Sequence, residues 1–229
     1  INMALSGLDI YKLLPKTNCK ECGFATCLAF AMQLAKKAIS IDKCPYISPE
    51  AKKVLEQASL PPIRLVTIGS QENKIAVGNE TVMFRHEEKF HRPCAIGFII
   101  EDNLPDSQIK ENLQKINSLA FERVGQKLDV NLIAIRQTKD KIRFIEAVKL
   151  ASDNTKLGLV LMSSDFDALE DALRLASERK PLIYNATKDN FSAIAKLAKE
   201  FKAPLVVTAP DLESLTNLTK DINASGIDD

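Results

Sequence analysis

Four of the five cysteines lie in the first fifth of this 229-residue chain, at Cys19, Cys22, Cys27 and Cys44. Their spacing is C-x2-C-x4-C-x16-C, and Pro45 follows the last of them. Four thiolates are the number that a structural zinc ion or an iron–sulfur cluster requires. Because three of them fall within nine residues, a single loop would have to wrap one small object. The pattern therefore predicts a metal or cluster site with these four cysteines as ligands.

The spacing favours an iron–sulfur cluster over zinc but leaves both open. Zinc sites usually combine two C-x2-C pairs, or two cysteines with two histidines. Here only one pair is spaced by two, and His86 and His91 lie more than forty residues beyond Cys44. Neither common ferredoxin spacing matches, although the bacterial pattern also ends in Cys-Pro. Ordinary buried thiols are the remaining alternative.

Helix-start and turn residues are expected to position these cysteines. A short helix over 8–14 would end at Pro15, which cannot continue it. Thr26 is a good N-cap for a helix over 27–39. Cys27 would then stand at a helix N-terminus, where the dipole and the free N–H groups favour a thiolate.

The cysteine segment is too small to be stabilised by apolar burial alone. We expect it to span residues 1–60, with Gly23 at a positive φ and a third helix over 49–58 that begins after Ser48. A segment of roughly 60 residues buries little apolar surface. A bound metal would therefore contribute part of its folding free energy.

Composition excludes several other classes of protein. Hydrophobic residues make up 45% of the chain, and 31 Lys and Arg against 30 Asp and Glu give a net charge of +1. Neither a nucleic-acid partner nor a membrane partner is expected, since there is no basic block and no apolar run of about 20 residues. The N-terminus carries no secretion signal, so the cysteines are not expected to form a disulfide framework. We expect a cytoplasmic protein.

Residues 93–229 alternate between strand-like and helix-like segments and predict an α/β fold. The predicted strands are 95–100, 131–136, 157–162, 182–184 and 205–208, and the predicted helices are 105–121, 141–151, 165–178, 189–201 and 211–224. Five βα units imply a parallel sheet with right-handed crossovers. Between the two domains, residues 61–92 predict a linker that begins at Pro61-Pro62. It carries a short β-hairpin of strand-like runs 74–77 and 81–84 that turns at Gly78-Asn79.

Periodicity does not distinguish a doubly wound sheet from the first five βα units of a TIM barrel. About 135 residues suit the former, since a full barrel takes about 250. A partial barrel would expose two strand edges and its interior, so it would need a partner or further strands. Neither G-x-G-x-x-G nor a Walker sequence occurs, which gives nucleotide binding no support.

Few other residues suggest chemistry. Cys94 is expected to be a buried core thiol, and His86 and His91 to lie in a solvated connector or on a contact surface. Arg136 ends the second predicted strand and would face an anion or a carboxylate. Polar residues follow the first and third strands, where βα folds place functional loops, but helix capping explains some of them equally well; they are Asp102, Asn103, Ser163, Ser164 and Asp165. None is predicted to be catalytic.

The cysteine segment also resembles a known family. The runs LSGLDIYKLLPKTNCKECG (5–23), TCLAFAM (26–32) and CPY (44–46) are similar to the N-terminal domain of the large subunit of the corrinoid iron–sulfur protein. Shorter similarities extend over essentially the whole chain; they are FRH (84–86), KF (89–90), RVGQ (123–126), IAIR (133–136) and RKPLIY (179–184).

The resemblance implies a fold and a function. The four cysteines would hold a 4Fe-4S cluster, a TIM barrel would follow, and a further domain would bind a corrinoid (cobalamin). The corrinoid would take a methyl group from methyltetrahydrofolate or tetrahydrosarcinapterin and pass it to acetyl-CoA synthase, while the cluster reduces oxidised cobalt. The chain would be a non-catalytic carrier subunit. Its partners would be the small corrinoid-protein subunit, in a heterodimer, the methyltetrahydrofolate methyltransferase, and CO dehydrogenase/acetyl-CoA synthase.

The sequence departs from the family in its length. It stops at Asp229, about half the family's length, so we expect a fragment with only the first five βα units of the barrel and without the corrinoid domain. Two alternatives remain open at this point. One is an electron-transfer or regulatory iron–sulfur protein on a βα scaffold with no corrinoid. The other is a zinc-stabilised interaction module.

Overall fold

The chain divides into two compact units, one comprising Ile1–Arg64 with Glu80–Lys89 and the other Leu65–Asn79 with Phe90–Asp229. The structure, a computed structural model, describes residues 5–36, 38–59, 63–70, 73–80 and 92–227. The predicted Pro61-Pro62 linker, the strand-like run 81–84 and the two histidines lie outside the described residues. No helix in the described part of the chain is long and apolar enough to cross a membrane.

The first unit is helical. Its elements are α1 (Gly7–Leu13), α2 (Cys27–Ala35), a short 3-10 helix (Ile41–Lys43) and α3 (Pro49–Ser59). Leu14, which precedes Pro15, is extended and ends α1. Residues before proline avoid the helical conformation, which explains this end point. The second helix stops four residues before the predicted position 39.

Close packing of α1 on α2 forms most of the core of this unit. A Cβ atom added at Gly7 would lie 2.5 Å from the sulfur of Met32, so the two helices approach too closely for a larger residue there. Phe30 and Ala31 are 1% and 0% exposed, and the Phe24 ring meets the Phe30 ring edge-on at 5.8 Å. Cys27 and Cys44 belong to the same buried cluster. The candidate ligands are thus part of the core itself.

The second unit contains the predicted parallel sheet. Its strands and helices are β1 (Val66–Ile68), β2 (Ile75–Val77), β3 (Gly97–Glu101), α4 (Asp106–Asn117), β4 (Ala120–Arg123), β5 (Gln126–Asp129), β6 (Leu132–Arg136), α5 (Lys141–Asn154), β7 (Gly158–Met162), α6 (Phe166–Ala176), a 3-10 helix (Ser177–Arg179), β8 (Leu182–Ala186), α7 (Phe191–Phe201), β9 (Leu205–Val207) and α8 (Leu212–Ala224). The sheet order is β3-β6-β7-β8-β9, and every neighbouring pair is parallel.

The two faces of this sheet differ in burial. Side chains on one face pack with the helices in a single hydrophobic core, where Ile133, Leu161 and Ile183 are all 0% exposed. On the other face, Ile99 is 50% exposed and Tyr184 37% exposed. Strand order follows chain order without the reversal that marks a doubly wound sheet. The helices α4 to α8 accordingly cover one face, and the other is apolar and partly open.

Residues 118–130 differ from the prediction. The helix predicted over 105–121 ends at Asn117, and an antiparallel hairpin of β4 and β5 follows. Its two-residue turn is Val124-Gly125, with φ of 51° and 72°. Asn-Gly is the usual sequence for such a turn. Valine at position 124 does not indicate a hairpin turn, and Leu119 continues the helical spacing of apolar residues. The sequence therefore predicted a longer helix in place of the hairpin.

An antiparallel pair of strands lies just before residue 78. Strand β2 pairs with β1, with Val66 opposite Val77 and Ile68 opposite Ile75. The sequence had suggested 81–84 as its partner through a Gly78-Asn79 turn, and that run lies outside the described residues. Gly78 and Asn79 do adopt positive φ values, of 82° and 58°.

The structure shows the surroundings of three polar or thiol residues that the sequence analysis considered. Cys94 is exposed, contrary to the expected core position, because the strand begins three residues later at Gly97. Arg136 faces a carboxylate, with one nitrogen 3.5 Å from Glu101. Asp165 caps α6 by accepting the Ala168 N–H at 3.2 Å.

Asp102 is buried and ties two loops together. The residue is 0% exposed, and its carboxylate accepts the N–H and hydroxyl of Thr138 at 2.8 and 2.6 Å and the N–H of Lys139 at 3.1 Å. Arg143 donates to the carbonyls of Asp102 and Leu104 at 2.8 and 2.7 Å. The loops after β3 and β6 are therefore joined by one carboxylate, which explains its position without a catalytic role.

Replacing Asp102 tests this assignment. Asp102→Ala removes a buried carboxylate and leaves the partly buried N–H groups of Thr138 and Lys139 without their acceptor, so the free energy of unfolding should fall by about 2 to 4 kcal/mol. Urea unfolding followed by the helical circular dichroism signal measures the change. Asp153→Ala removes an exposed carboxylate of α5 and should change stability by no more than about 0.5 kcal/mol. Equal effects of the two substitutions would contradict the structural role of Asp102.

The hairpin turn gives a second prediction. A valine in the left-handed conformation is strained, whereas asparagine tolerates it. Val124 is 94% exposed, so a replacement loses little packing. Val124→Asn should therefore raise the free energy of unfolding by about 1 kcal/mol, while Val124→Ala should raise it less. Urea midpoints compare the three proteins, and no gain for asparagine over alanine would argue against the strained turn.

Candidate metal centre

The loop that carries the first cysteines is built from left-handed residues. Lys16, Asn18, Lys20 and Gly23 have φ values of 59°, 48°, 66° and 85°. A residue in the left-handed region sharply changes the direction of the backbone. Four such residues close together make the loop turn tightly. The prediction of a positive φ at Gly23 is confirmed. No atom lies within 4 Å of a Cβ added there, which leaves that side of the glycine open.

The structure gathers three of the four cysteines. Cys27 and Cys44 are each 8% exposed within the core of the first unit, and the half-buried Cys22 packs against the same cluster. Cys19 is exposed. All are free thiols. Two of the four candidate ligands are thus buried, one lies at the edge of the core and one faces solvent.

The thiols do not form a closed single-ion site. In the part of the chain that the structure describes, no three His, Cys, Asp or Glu side chains are grouped closely enough to hold one metal ion. A zinc ion needs its four sulfurs about 2.3 Å from one point. An iron–sulfur cubane places each thiolate on a separate iron, so its ligands surround a larger object.

Cys27 lies at the first position of α2, as predicted. The Thr26 side chain accepts the Ala29 N–H at 3.1 Å and caps the helix, which confirms the predicted N-cap. The Phe30 N–H bonds to the Thr26 carbonyl at 3.1 Å.

Asn18 makes a contact that the sequence analysis did not anticipate. Its Oδ1 accepts the backbone N–H of Cys27 at 2.8 Å, which ties the loop before the first cysteine to the third. The available clue was the residue type, because asparagine adopts left-handed φ and accepts backbone hydrogen bonds more readily than most residues. Spacing alone gave no indication of its partner.

A second polar contact ties the same loop to the segment after Cys44. The Tyr46 hydroxyl donates to Glu21 at 2.7 Å, on the surface. This hydrogen bond to the carboxylate, together with the charges of Glu21 and Cys19, raises the pKa of Tyr46. Cys44 itself follows the 3-10 helix, and its N–H bonds to the carbonyl of Ile41 at 3.0 Å.

Helix α3 anchors the segment that brings Cys44 back. Lys52 forms a 2.6 Å ion pair with Asp42. This contact lowers the pKa of Asp42, with a smaller contribution from the Ser40 hydroxyl, and raises the pKa of Lys52. Ser48 accepts the Ala51 N–H at 3.1 Å and caps α3, as the sequence predicted. The ion pair between Lys52 and Asp42 is exposed, so it contributes little to stability. Its main effect is to hold the segment before Cys44 against α3.

Exposed lysines lie close to the cysteines along the chain. Lys16 and Lys20 flank Cys19, and Lys43 precedes Cys44. The ammonium group of Lys16 lies 5.7 Å from the centre of the Tyr11 ring, in a cation–π contact. These side chains place positive charge next to two of the candidate ligands along the chain.

Two family models match separate parts of the chain. Residues 14–46 match a family model described as a putative Fe-S cluster. Residues 65–229 match the model of the CO dehydrogenase/acetyl-CoA synthase delta subunit. The first match covers all four cysteines, together with Asn18 and Tyr46.

Several characterised proteins are similar to this chain over almost its whole length. The corrinoid/iron-sulfur protein large subunit of Moorella thermoacetica is 45% identical over 225 residues, which cover 98% of this chain and 50% of the relative. The acetyl-CoA decarbonylase/synthase complex subunit gamma is 35% identical over 227 residues in Methanothermobacter thermautotrophicus and 36% over 233 in Methanocaldococcus jannaschii. Those alignments cover 98% of this chain and 49% and 47% of the relatives.

These matches confirm the resemblance that the cysteine motif suggested. The chain spans about half the length of the relatives it matches. The relatives are named large or gamma subunits, whereas the matching family model carries the delta-subunit description. Because that model covers well over half of the residues, the chain belongs to the CO dehydrogenase/acetyl-CoA synthase delta subunit family.

Proposed function

We propose that this chain is the cluster-bearing part of a methyl-carrier subunit of the reductive acetyl-CoA pathway. The observation that carries the proposal is the match of residues 14–46 to an Fe-S family model, in the same segment where three free thiols meet in one core. The similarity to corrinoid/iron-sulfur and decarbonylase/synthase subunits supplies the pathway.

We propose Cys19, Cys22, Cys27 and Cys44 as the ligands of a 4Fe-4S cluster. All four are free thiols, Cys27 and Cys44 are buried in the core of the first unit, and Cys27 begins α2. When bound, the cluster would supply one-electron transfer to a corrinoid. The residues of this chain would bind it, orient it and exclude water from its inner side.

The candidate ligands differ in how exposed they are to solvent, so the two sides of the proposed cluster site differ. The apolar side chains around Cys27 and Cys44 would shield one side, whereas Cys19 lies at the surface. Electron transfer requires close approach of donor and acceptor, so the Cys19 side would face the redox partner. Fixed thiolates and a packed core would limit rearrangement between oxidation states.

We also propose that the five parallel strands are part of a TIM barrel. Their order follows the chain, and α4 to α8 pack on one face. Parallel sheets are normally covered on both faces. The partly exposed apolar face, with Ile99 and Tyr184, would then line the barrel interior once further strands close it.

The corrinoid and the partners are proposals for the whole protein. The corrinoid would lie on a domain beyond these residues, and the cluster would reduce its oxidised cobalt. The methyl donor would be methyltetrahydrofolate or tetrahydrosarcinapterin, delivered by a methyltransferase. A small corrinoid-protein subunit and CO dehydrogenase/acetyl-CoA synthase would be the other partners, in the cytoplasm. Purifying the native protein with its complete reading frame tests this. A bound corrinoid is expected, and its absence would favour a purely electron-transferring protein.

The cluster itself is tested by metal analysis. Reconstituted protein should contain about four iron atoms and four acid-labile sulfides per chain, with visible absorption that bleaches on reduction. Cys27→Ser should lose most of both, because a buried ligand is removed. Cys94→Ser replaces an exposed thiol outside the motif and should retain the full content. A content of one zinc atom per chain, with no acid-labile sulfide, would contradict the proposal.

Loss of the cluster should affect the two units differently. We propose a cluster domain over 1–60, a linker over 61–92 and an α/β domain over 93–229. The Cys22→Ala variant should then unfold the first segment, because little apolar surface is available to hold it without metal. Most of the helical circular dichroism signal should remain, with proteolysis confined to the first domain. Simultaneous loss of both would contradict separate domains.

A further inference from the structure

The start of α2 has most of its N–H donors already occupied. The Cys27 N–H goes to the Asn18 side chain at 2.8 Å, and the Ala29 N–H goes to the Thr26 hydroxyl at 3.1 Å. The Phe30 N–H bonds to the Thr26 carbonyl. Among the described residues, the Leu28 N–H alone of this turn has no acceptor. The Cys27 N–H is therefore one of the donors that are already bonded within the protein.

Asn18 accepts the Cys27 N–H while its own backbone is in the left-handed conformation. Its φ of 48° turns the chain just before Cys19 and brings its side-chain oxygen to the amide of Cys27, nine residues later. The residue is exposed, but the bond is partly buried. Two candidate ligands are therefore linked through one side chain that is not itself a ligand.

The occupied amide has a consequence for redox chemistry. Backbone N–H groups that donate to the sulfurs of an iron–sulfur cluster stabilise its more negative, reduced form and so raise its reduction potential. A donor already bonded to a side-chain oxygen is not available for that purpose. The amide of a ligand residue is the donor closest along the chain to its own sulfur.

We propose that Asn18 is a positioning residue of the cluster site. It fixes Cys27 relative to the loop that carries Cys19, and it withholds the Cys27 amide from the cluster, which keeps the reduction potential low. This inference rests on the proposed cluster. It assigns to one side chain both the retention of the cluster and its electron-donating strength.

Three substitutions separate these roles. Asn18→Gly removes the oxygen while keeping a residue that adopts φ near +48° without strain. Asn18→Asp retains an acceptor for the Cys27 amide and adds negative charge. Tyr46→Phe breaks the Glu21 contact of the same loop, which is exposed. It serves as the matched control, because exposed contacts contribute little.

Reconstituted proteins are compared by iron and sulfide content, by the rate of bleaching under a chelator and by redox titration of the visible absorption. Asn18→Gly should show a more positive potential and roughly threefold to tenfold faster bleaching, the range expected when a side-chain cap is lost. Asn18→Asp should bleach at the rate of the parent protein, with an equal or more negative potential. Tyr46→Phe should match the parent in both.

The outcomes distinguish the inference from the proposed function. A parent protein that binds no iron and sulfide refutes the cluster itself. If the parent holds a cluster and Asn18→Gly shows an unchanged potential, the withheld amide is refuted, whatever its bleaching rate. If Asn18→Gly retains no cluster, the Asn18→Asp protein decides. An Asn18→Asp protein that retains its full cluster content, with a reduction potential equal to or below that of the parent protein, supports the proposal. An Asn18→Asp protein with a raised reduction potential overturns it.

Discussion

The placement of cysteines inside the hydrophobic core is the feature on which the first unit depends. Cys27 and Cys44 are both buried in this core, so two of the candidate ligands and the hydrophobic core occupy the same space. A unit of this size buries too little apolar surface to be stable by packing alone. The left-handed loop, the helix caps and the hydrogen bond between Asn18 and Cys27 hold the chain in a shape that suits the proposed cluster, whereas the exposed contact between Tyr46 and Glu21 adds little. In this account, cluster binding supplies stability that the core lacks.

A different constraint governs the second unit. Parallel strands need crossover helices, and these bury most of one face of the sheet, as the fully buried Ile133 and Leu161 show. Asp102 joins two of the loops at the carboxyl edge. The other face remains apolar and partly exposed at Ile99 and Tyr184. This imbalance is what supports closure of the sheet by further strands in a longer protein.

Features set by local chemistry were predictable from the sequence. The N-caps at Thr26 and Ser48, the positive φ at Gly23 and the five βα units all follow from residue type and periodicity, and the structure confirms them. The four cysteines were recognisable by spacing, and the family comparison agrees with the motif they form.

Features set by distant contacts were not predictable. The hairpin after α4 was missed because Val124 stands where asparagine is usual, and Cys94 was misplaced because a strand boundary moved by a few residues. The bonds from Asn18 to Cys27 and from Asp102 to Thr138 join residues nine and 36 positions apart. Residue type suggests that such side chains seek partners, but only the folded backbone selects them.

The most direct test of the account is X-ray absorption at the iron edge of the native protein. The account predicts iron coordinated by sulfur, with an additional iron neighbour around each absorber, as in a 4Fe-4S cluster. Absence of iron, together with zinc bound by four sulfurs at about 2.3 Å, would contradict it.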